Sequence, residues 1–135
     1  MYAFDYIRTI SVEDAVRRLQ ADPEAKLLAG GQSLIPALKL RLAQPSRLVD
    51  IRRVPGLSGL TREGDRLVIG ATTSHAQAAA KAQAIPALAR LIEGIGDPAV
   101  RNLGTIGGSL ANADPAADYP AAILGLGATI RTDRR

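Results

Sequence analysis

The chain has 135 residues, of which 47% are hydrophobic and only 3% aromatic, and its formal net charge is +4. This hydrophobic content excludes disorder as the default and suffices for one domain, or for two small lobes that share a core. The absence of cysteine excludes disulfides, thiolate-bound iron–sulfur clusters and cysteine-type zinc sites within the chain. Scattered arginines are typical of a solvated surface, and the lack of tryptophan disfavours an aromatic stacking platform for nucleic acid. Both observations argue against nucleic-acid binding.

The N-terminal stretch MYAFDYIRTISVEDA contains acidic residues early and no apolar run of signal-peptide length. No window of the sequence approaches the roughly 18 apolar residues of a membrane-spanning helix. We therefore expect a cytoplasmic protein without a membrane span.

Residues 1–55 have the pattern of a βαβ-like lobe. Ser11, followed three residues later by Asp14, predicts a helix start, and Asp22-Pro23 predicts the end of that helix. The predicted elements are a strand over 4–10, a helix over 12–21, a strand over 26–29, a helix over 33–42 and a strand over 47–51. The turn dipeptide Pro55-Gly56 marks the boundary of this lobe.

Residues 56–135 are predicted to form a second, mixed α/β lobe, which makes the fold class α+β. The predicted elements are hairpin strands over 57–61 and 66–70, helices over 73–81, 85–95 and 118–126, and a strand that begins over 129–132. A strand that runs into the C-terminus is typical of the middle of a fold. We therefore expect the fold to be incomplete at the C-terminus, as in a fragment or a truncated homologue.

Two segments combine paired glycines with a hydroxyl-bearing residue. The first glycine segment is LLAGGQSL over residues 27–34, and the second is GTIGGS over residues 104–109. Glycine lets the main chain approach an anion closely, and successive amide N–H groups can converge on phosphate oxygens. If helices start at Ser33 and near Ser109, two sets of free N–H groups would face one diphosphate. The alternative interpretation of each segment is a tight turn.

Other nucleotide motifs are misplaced or absent. The sequence GIGDPA over residues 94–99 fits a permissive dinucleotide fingerprint, but it follows a helix and puts Asp97 and Pro98 where free N–H groups are needed. No Gly-Lys dipeptide occurs, which excludes the phosphate loop of nucleotide triphosphatases. No base in a recognised arrangement accompanies Ser33 or Ser109, so we do not expect a serine nucleophile.

Four further residues allow two interpretations each. Asp114 forms either an Asx-type turn or a ligand contact. Asp118 either caps a helix or accepts hydrogen bonds from ribose hydroxyls or an adenine amino group. Arg101 either balances a phosphate charge or pairs with Asp97. His75, the only histidine, is interpreted as structural in preference to a catalytic or metal-binding role.

Two long stretches resemble a known family. AGGQSLIPALKLRLAQPSRLVDI over residues 29–51 and VRNLGTIGGSLANADPAADYPAA over residues 100–122 resemble the paired signatures of the FAD-binding, medium subunit of molybdenum hydroxylases. That family includes carbon monoxide dehydrogenase and the xanthine dehydrogenases, and the similarity includes the IGATTSHAQ segment that begins at Ile69. The resemblance implies a fold of the vanillyl-alcohol-oxidase type, in which two lobes hold an extended FAD between them.

The resemblance also implies which residues contact the cofactor FAD, and it names no catalytic side chain. In the first segment the implied contacts lie around the diphosphate, and in the second they lie along the loop, with Asp118 on the ribose or adenine side. The implied FAD-binding residues are Lys26, Leu27, Leu28, Ala29, Gly30, Gly31, Gln32, Ser33, Leu34, Gly104, Thr105, Gly107, Gly108, Ser109, Asn112 and Asp118.

The function implied by the resemblance is electron transfer as the FAD-binding subunit of a molybdenum-containing hydroxylase. The implied partners are a large subunit with the molybdenum cofactor and a small subunit with [2Fe–2S] clusters, from which FAD passes electrons to an acceptor. Family members continue well beyond 135 residues. The alternative hypotheses are a non-catalytic scaffold and a nucleotide-phosphate-binding module, both without bound flavin.

Overall fold

The structure is a computed structural model that describes residues 1–133, in which five strands and seven α-helices are present. The strands are β1 (Asp5–Arg8), β2 (Lys26–Leu28), β3 (Arg47–Asp50), β4 (Leu60–Glu63) and β5 (Arg66–Ile69). The helices are α1 (Val12–Ala21), α2 (Leu34–Lys39), α3 (His75–Lys81), α4 (Pro86–Glu93), α5 (Pro98–Leu103), α6 (Ile106–Asn112) and α7 (Tyr119–Gly125), with a 3₁₀ turn at Ala82–Ala84. The predicted α+β class is confirmed.

The first three strands form a parallel sheet in the order β1-β3-β2, which confirms the predicted βαβ-like unit. The central strand β3 is buried on both faces because helices cover each side. Val49 packs with Ala15 of α1, whereas Leu48 packs with Leu28 of β2 and Leu38 of α2. Full burial of a leucine side chain stabilises the fold by about 1.5–3 kcal/mol, so these contacts fix the position of both helices on the sheet.

The start of α1 follows the sequence signal. The Ser11 side chain accepts a hydrogen bond from the main-chain N–H of Asp14 over 3.1 Å, as an N-cap should. The carboxylate of Asp14 instead pairs with Arg17 and Arg18 on the exposed side of the helix. The helix ends at Ala21, immediately before the predicted Asp-Pro stop.

Helix α2 is shorter than the periodicity predicts, because it ends in a Schellman motif. Arg41 has φ +59°, its N–H donates to the Leu38 carbonyl, and the N–H of Leu42 donates to the Ala37 carbonyl over 2.8 Å. Leucine spacing up to Leu42 therefore does not mark one buried face, and Leu42 is exposed. The Arg41 guanidinium lies 5.5 Å from the centre of the Tyr2 ring, a cation–π contact that accompanies the left-handed conformation.

Strands β4 and β5 form the predicted antiparallel hairpin, with a tighter turn than expected. Glu63 pairs with Arg66, so only Gly64 and Asp65 form the loop, and Gly64 has φ +64°. The next helix, α3, falls within the predicted range 73–81 and begins with a capping box between Ser74 and Gln77.

The larger core cluster lies among the helices after the hairpin. Tyr119 and Ile92 are fully buried there, and the apolar side of the hairpin packs against the same cluster. Helix α5 was not expected from periodicity, but its start has a clear local cause. The Asp97 side chain accepts from the Val100 N–H over 2.9 Å, and Pro98 occupies the first turn.

The strand predicted over residues 129–132 is wrong, since β5 is the last strand within residues 1–133. Alternation of side chains is not sufficient for a strand, because the main chain also needs a hydrogen-bonding neighbour. Across residues 1–133, the helices all fall short of the length and apolar character that crossing a membrane requires.

Candidate functional site

The two glycine segments are in contact. A Cβ atom on Gly30 would lie 2.3 Å from the main-chain oxygen of Leu103 and 2.7 Å from the Cα of Gly104, so only glycine fits. A Cβ atom on Gly108 would lie 3.9 Å from the Cβ of Ala29. The convergence predicted for the two segments is therefore present, at the carboxyl end of the parallel sheet where β2 runs into α2.

The first segment presents main-chain donors that the protein itself does not use. Gly31 is left-handed at φ +73°, and the amide N–H groups of Gly31, Gln32 and Ser33 donate to no atom within residues 1–133. The Gln32 side chain donates back to the Gly30 carbonyl over 3.3 Å, which stabilises the turn. Ser33 occupies the predicted N-cap position of α2, but its hydroxyl makes no capping hydrogen bond. The segment thus offers consecutive donors in the conformation that favours an anion.

The second segment differs from the expectation, because the N–H groups of its central residues, 106–108, already have partners within the chain. The N–H of Ile106 donates to Thr73, that of Gly107 to Ala71 over 2.9 Å, and that of Gly108 to the Thr105 hydroxyl over 3.1 Å. The prediction of unobstructed amides here is therefore wrong. The physical reason is that residues 71–75 run alongside the segment and satisfy its main chain.

The helix after the second glycine pair begins earlier than expected. Thr105, and not a residue near Ser109, is the N-cap of α6, and the N–H of Ser109 donates to the Thr105 carbonyl inside the helix. At two positions of this segment, neighbouring protein atoms leave no room for any residue larger than glycine. A Cβ on Gly104 would lie 2.6 Å from Nε2 of His75, and one on Gly107 would lie 2.6 Å from the Cβ of Ala71.

Sequence reasoning missed the role of residues 71–75 as the support of this loop. The available signal was the IGATTSHAQ stretch, which belongs to the family resemblance but contains no ligand-binding pattern of its own. His75 is central to it, because its main-chain N–H donates to the Gly104 carbonyl over 2.9 Å. An isolated β-bridge joins Ser74 to Thr105 at the same place.

The His75 side chain is buried and in contact with another buried side chain, an environment that fits the structural interpretation. It is 5% exposed, and Nδ1 lies 3.0 Å from the hydroxyl of the fully buried Tyr119. Burial lowers the pKa of His75, and the charge of Asp118 has the opposite but smaller effect. Burial and the same charge raise the pKa of Tyr119 well above its usual range. No cluster of three potential metal ligands occurs within residues 1–133.

The remaining predicted contacts fall into buried and exposed positions. Leu28 is buried in the core between the sheet and α2, and the half-buried Leu34 packs against the same cluster. Lys26, Leu27 and Asn112 are exposed.

The carboxylates near α7 have separate roles. The Asp114 side chain accepts from the N–H of Ala116 over 2.9 Å, which confirms the Asx-type turn. Asp118 precedes α7 and is exposed, but it makes no side-chain capping hydrogen bond. The capping interpretation of Asp118 is therefore wrong, and its oxygens are accessible to a ligand.

The predicted pairing of Arg101 with Asp97 is wrong, since the structure joins Arg101 to main-chain oxygens. Its guanidinium donates to the main-chain oxygens of Ile95 and Gly96 over 2.9 and 3.0 Å. Asp97 serves instead as the cap of α5, so Arg101 stabilises the turn between two helices.

Comparisons with known proteins agree with this geometry. The profile of a family described as "FAD binding domain in molybdopterin dehydrogenase" matches residues 2–135. The chain is 46% identical over 132 residues to the "6-hydroxypseudooxynicotine dehydrogenase complex subunit alpha" of Paenarthrobacter nicotinovorans, covering 95% of this chain and 45% of that protein.

Solved structures show the same similarity. Carbon monoxide dehydrogenase of Hydrogenophaga pseudoflava superposes with a TM-score of 0.87 at 48% identity, over 90% of this chain and 44% of that one. Quinoline 2-oxidoreductase of Pseudomonas putida 86 gives a TM-score of 0.86 at 38% identity, over 90% and 44% of the two chains. The chain thus spans about half the length of the relatives it matches, and the matches favour a flavin-binding domain over a scaffold without flavin.

Proposed function

Because the chain belongs to the family of FAD-binding domains in molybdopterin dehydrogenases, we propose that it holds the FAD of a molybdenum-containing hydroxylase or dehydrogenase. The observation that carries the proposal is the contact between the two glycine segments, one of which presents unpaired main-chain donors. A pyrophosphate needs such donors together with a surface free of Cβ atoms, so the residues present fit the cofactor.

The first glycine segment would hold the diphosphate. The N–H groups of Gly31, Gln32 and Ser33 would donate to phosphate oxygens, and the missing Cβ of Gly30 lets the second segment close against it. The adjoining Lys26, Leu27, Leu28, Ala29 and Leu34 complete this part of the proposed site.

The second glycine segment would form a preformed wall. Its main chain is already bonded, so Gly104, Gly107 and Gly108 contribute close approach and not N–H donation. The polar groups of this part of the proposed site are the side chains of Thr105, Ser109, Asn112 and Asp118. Of these, the Asp118 carboxylate is the group suited to ribose hydroxyls or an adenine amino group.

FAD would supply the redox chemistry, while the residues of this chain bind and orient the cofactor. We further propose a division into lobes over residues 1–55 and 56–135 and a cytoplasmic location. The partners would be a large molybdenum-cofactor subunit and a small [2Fe–2S] subunit, and the 135 residues of this sequence contain no cysteine that could hold such a cluster. Electrons would pass from those clusters through FAD to an acceptor.

The test is a charge introduced beside the proposed phosphate donors. Ser33→Asp places a carboxylate at an N-cap, where it stabilises the helix, yet it repels the diphosphate. We expect FAD affinity, measured by quenching of flavin fluorescence, to fall about tenfold or more. Ser58→Asp, at an exposed position outside both glycine segments, is the matched control and should leave the affinity unchanged.

Two results would contradict the proposal. One is a wild-type chain that does not bind FAD, alone or with its neighbouring subunits. The other is equal FAD affinity in Ser33→Asp and the wild type. If ADP raises the melting temperature and FAD raises it no further than ADP does, a nucleotide-phosphate-binding module would be favoured instead.

A further inference from the structure

We propose that His75 and Tyr119 are positioning residues that fix the Asp118 carboxylate relative to the second glycine segment. Through this pair, the site recognises the adenosine half of its ligand, in addition to the diphosphate. The inference rests on the proposed function, since it concerns how the same site holds FAD.

The first step of the argument is the attachment of His75 to the glycine segment. Its main-chain N–H donates to the Gly104 carbonyl over 2.9 Å, and the imidazole edge lies so close to Gly104 that a Cβ there would be 2.6 Å from Nε2. The bridge between Ser74 and Thr105 holds the neighbouring residues in register. The His75 ring and the main chain at Gly104 are therefore packed directly against each other.

The second step is the buried contact between the two rings. His75 Nδ1 and the Tyr119 hydroxyl are 3.0 Å apart, and the ring centres are 5.4 Å apart with an interplanar angle of 39°. Tyr119 is fully buried in the helical core. A hydrogen bond between neutral groups is stronger in such surroundings than in water, and either group left alone would be costly to bury.

The third step joins this pair to the proposed ligand. Asp118 is adjacent to Tyr119 at the start of α7, and no capping hydrogen bond holds its side chain. Its main chain is nonetheless fixed, because the next residue is locked in the core. The hydrogen bond between the rings thus determines where this carboxylate stands.

The experiment compares Tyr119→Phe with the wild type for three ligands. Removal of the hydroxyl should weaken both FAD and ADP by about fivefold to tenfold, the effect of one hydrogen bond. Inorganic pyrophosphate, which would contact only the first glycine segment, should bind unchanged. A general loss of structure would weaken all three ligands, so this split distinguishes positioning from folding.

A double-mutant cycle that combines Tyr119→Phe with Asp118→Asn tests whether Tyr119 acts through Asp118. If Tyr119 acts through Asp118, the double variant should bind FAD no more weakly than Asp118→Asn alone. Ile92→Val, in the same core cluster, is the control for lost stability and should leave FAD affinity unchanged. Independent losses that multiply, or equal losses in Ile92→Val and Tyr119→Phe, would overturn the inference.

The outcomes also separate the inference from the proposed function. A wild-type chain that binds no FAD removes both. A wild-type chain that binds FAD, with Tyr119→Phe of equal affinity, removes the positioning role alone.

Discussion

The buried Asp50 carboxylate holds the Arg52 guanidinium in a two-point contact, with hydrogen bonds of 3.0 Å from Nε and 2.7 Å from a terminal nitrogen. The main-chain N–H of Arg52 and the hydroxyl of Tyr6 donate to the same carboxylate. Burial raises the pKa of Asp50, but the hydrogen bonds from Arg52 and Tyr6 outweigh it and hold the pKa well below the usual 3.8.

Asp50→Asn should destabilise the chain by about 2 kcal/mol, because a buried hydrogen-bond acceptor of charged donors is replaced by a neutral amide. Chemical denaturation at pH 7 measures the change, with Asp65→Asn in the exposed hairpin turn as the control. The difference between the two variants should shrink below pH 4, since the stability contributed by a carboxylate with a lowered pKa is lost as the pH falls through that pKa. An Asp50→Asn variant as stable as Asp65→Asn at pH 7 would contradict this view of the network.

The unsatisfied Thr72 hydroxyl offers a second test. Its Oγ1 is buried and has no hydrogen-bond partner among the described residues, whereas the Thr73 hydroxyl donates to the Gly59 carbonyl over 2.8 Å and accepts from the Gly59 N–H. Thr72→Val should therefore stabilise the ligand-free chain by about 1 kcal/mol, and Thr73→Val should destabilise it by about 2 kcal/mol. Thermal unfolding of the two variants checks the opposite signs, and shifts in the same direction would refute the assignment.

The left-handed residue after α6 offers a third test. Ala113 has φ +51°, a conformation that costs an alanine about 1–2 kcal/mol and a glycine almost nothing. Ala113→Gly should accordingly raise the free energy of unfolding by about 1 kcal/mol. The same change at Ala121, exposed inside α7, should lower it by about 1 kcal/mol, and denaturant titration compares the two. A loss in both variants would mean that the conformation at Ala113 is not strained.

The pH dependence of stability follows from His75. Burial lowers the pKa of the folded imidazole below the ordinary 6.5, and the Asp118 charge offsets this only in part. The unfolded chain therefore binds the proton more readily, so stability is fully present above about pH 6.5 and declines as the pH falls below it. Unfolding free energies measured between pH 5 and 8 should show this slope in the wild type and a much smaller one in His75→Asn. A slope that persists in the variant would assign it to another group.

The sequence predicts those features that depend on local chemistry. The Ser11 cap and the Asp114 turn each depend only on residues within a few positions of one another. The end of α2 was missed because the left-handed position of its Schellman motif is occupied by Arg41, where glycine is the usual signal. The length of the hairpin turn was predicted only approximately, because it depends on the pairing of Glu63 with Arg66 across the two strands.

The candidate site was predicted only in part, because its second half depends on distant residues. The sequence draws attention to Gly104 and Gly107, but the side chains that leave no room for a Cβ there belong to His75 and Ala71, about thirty positions earlier in the chain. No local pattern indicates that Ala71 would accept the N–H of Gly107. The missing strand at residues 129–132 has the same origin, since pairing is a tertiary property.

The unequal hydrogen bonding of the two glycine segments has a consequence for how a nucleotide would enter. In the second glycine segment, the amides of Gly107 and Ile106 are already bonded to Ala71 and Thr73. This segment need not rearrange when the nucleotide binds, so ordering it adds little to the entropic cost of binding. The amides of Gly31, Gln32 and Ser33 have no hydrogen-bond partner within residues 1–133, so phosphate oxygens would displace any water bound to them. Binding would thus remove water mainly from the first glycine segment, while the second segment stays rigid. The favourable enthalpy of binding would come mainly from the hydrogen bonds of the first segment.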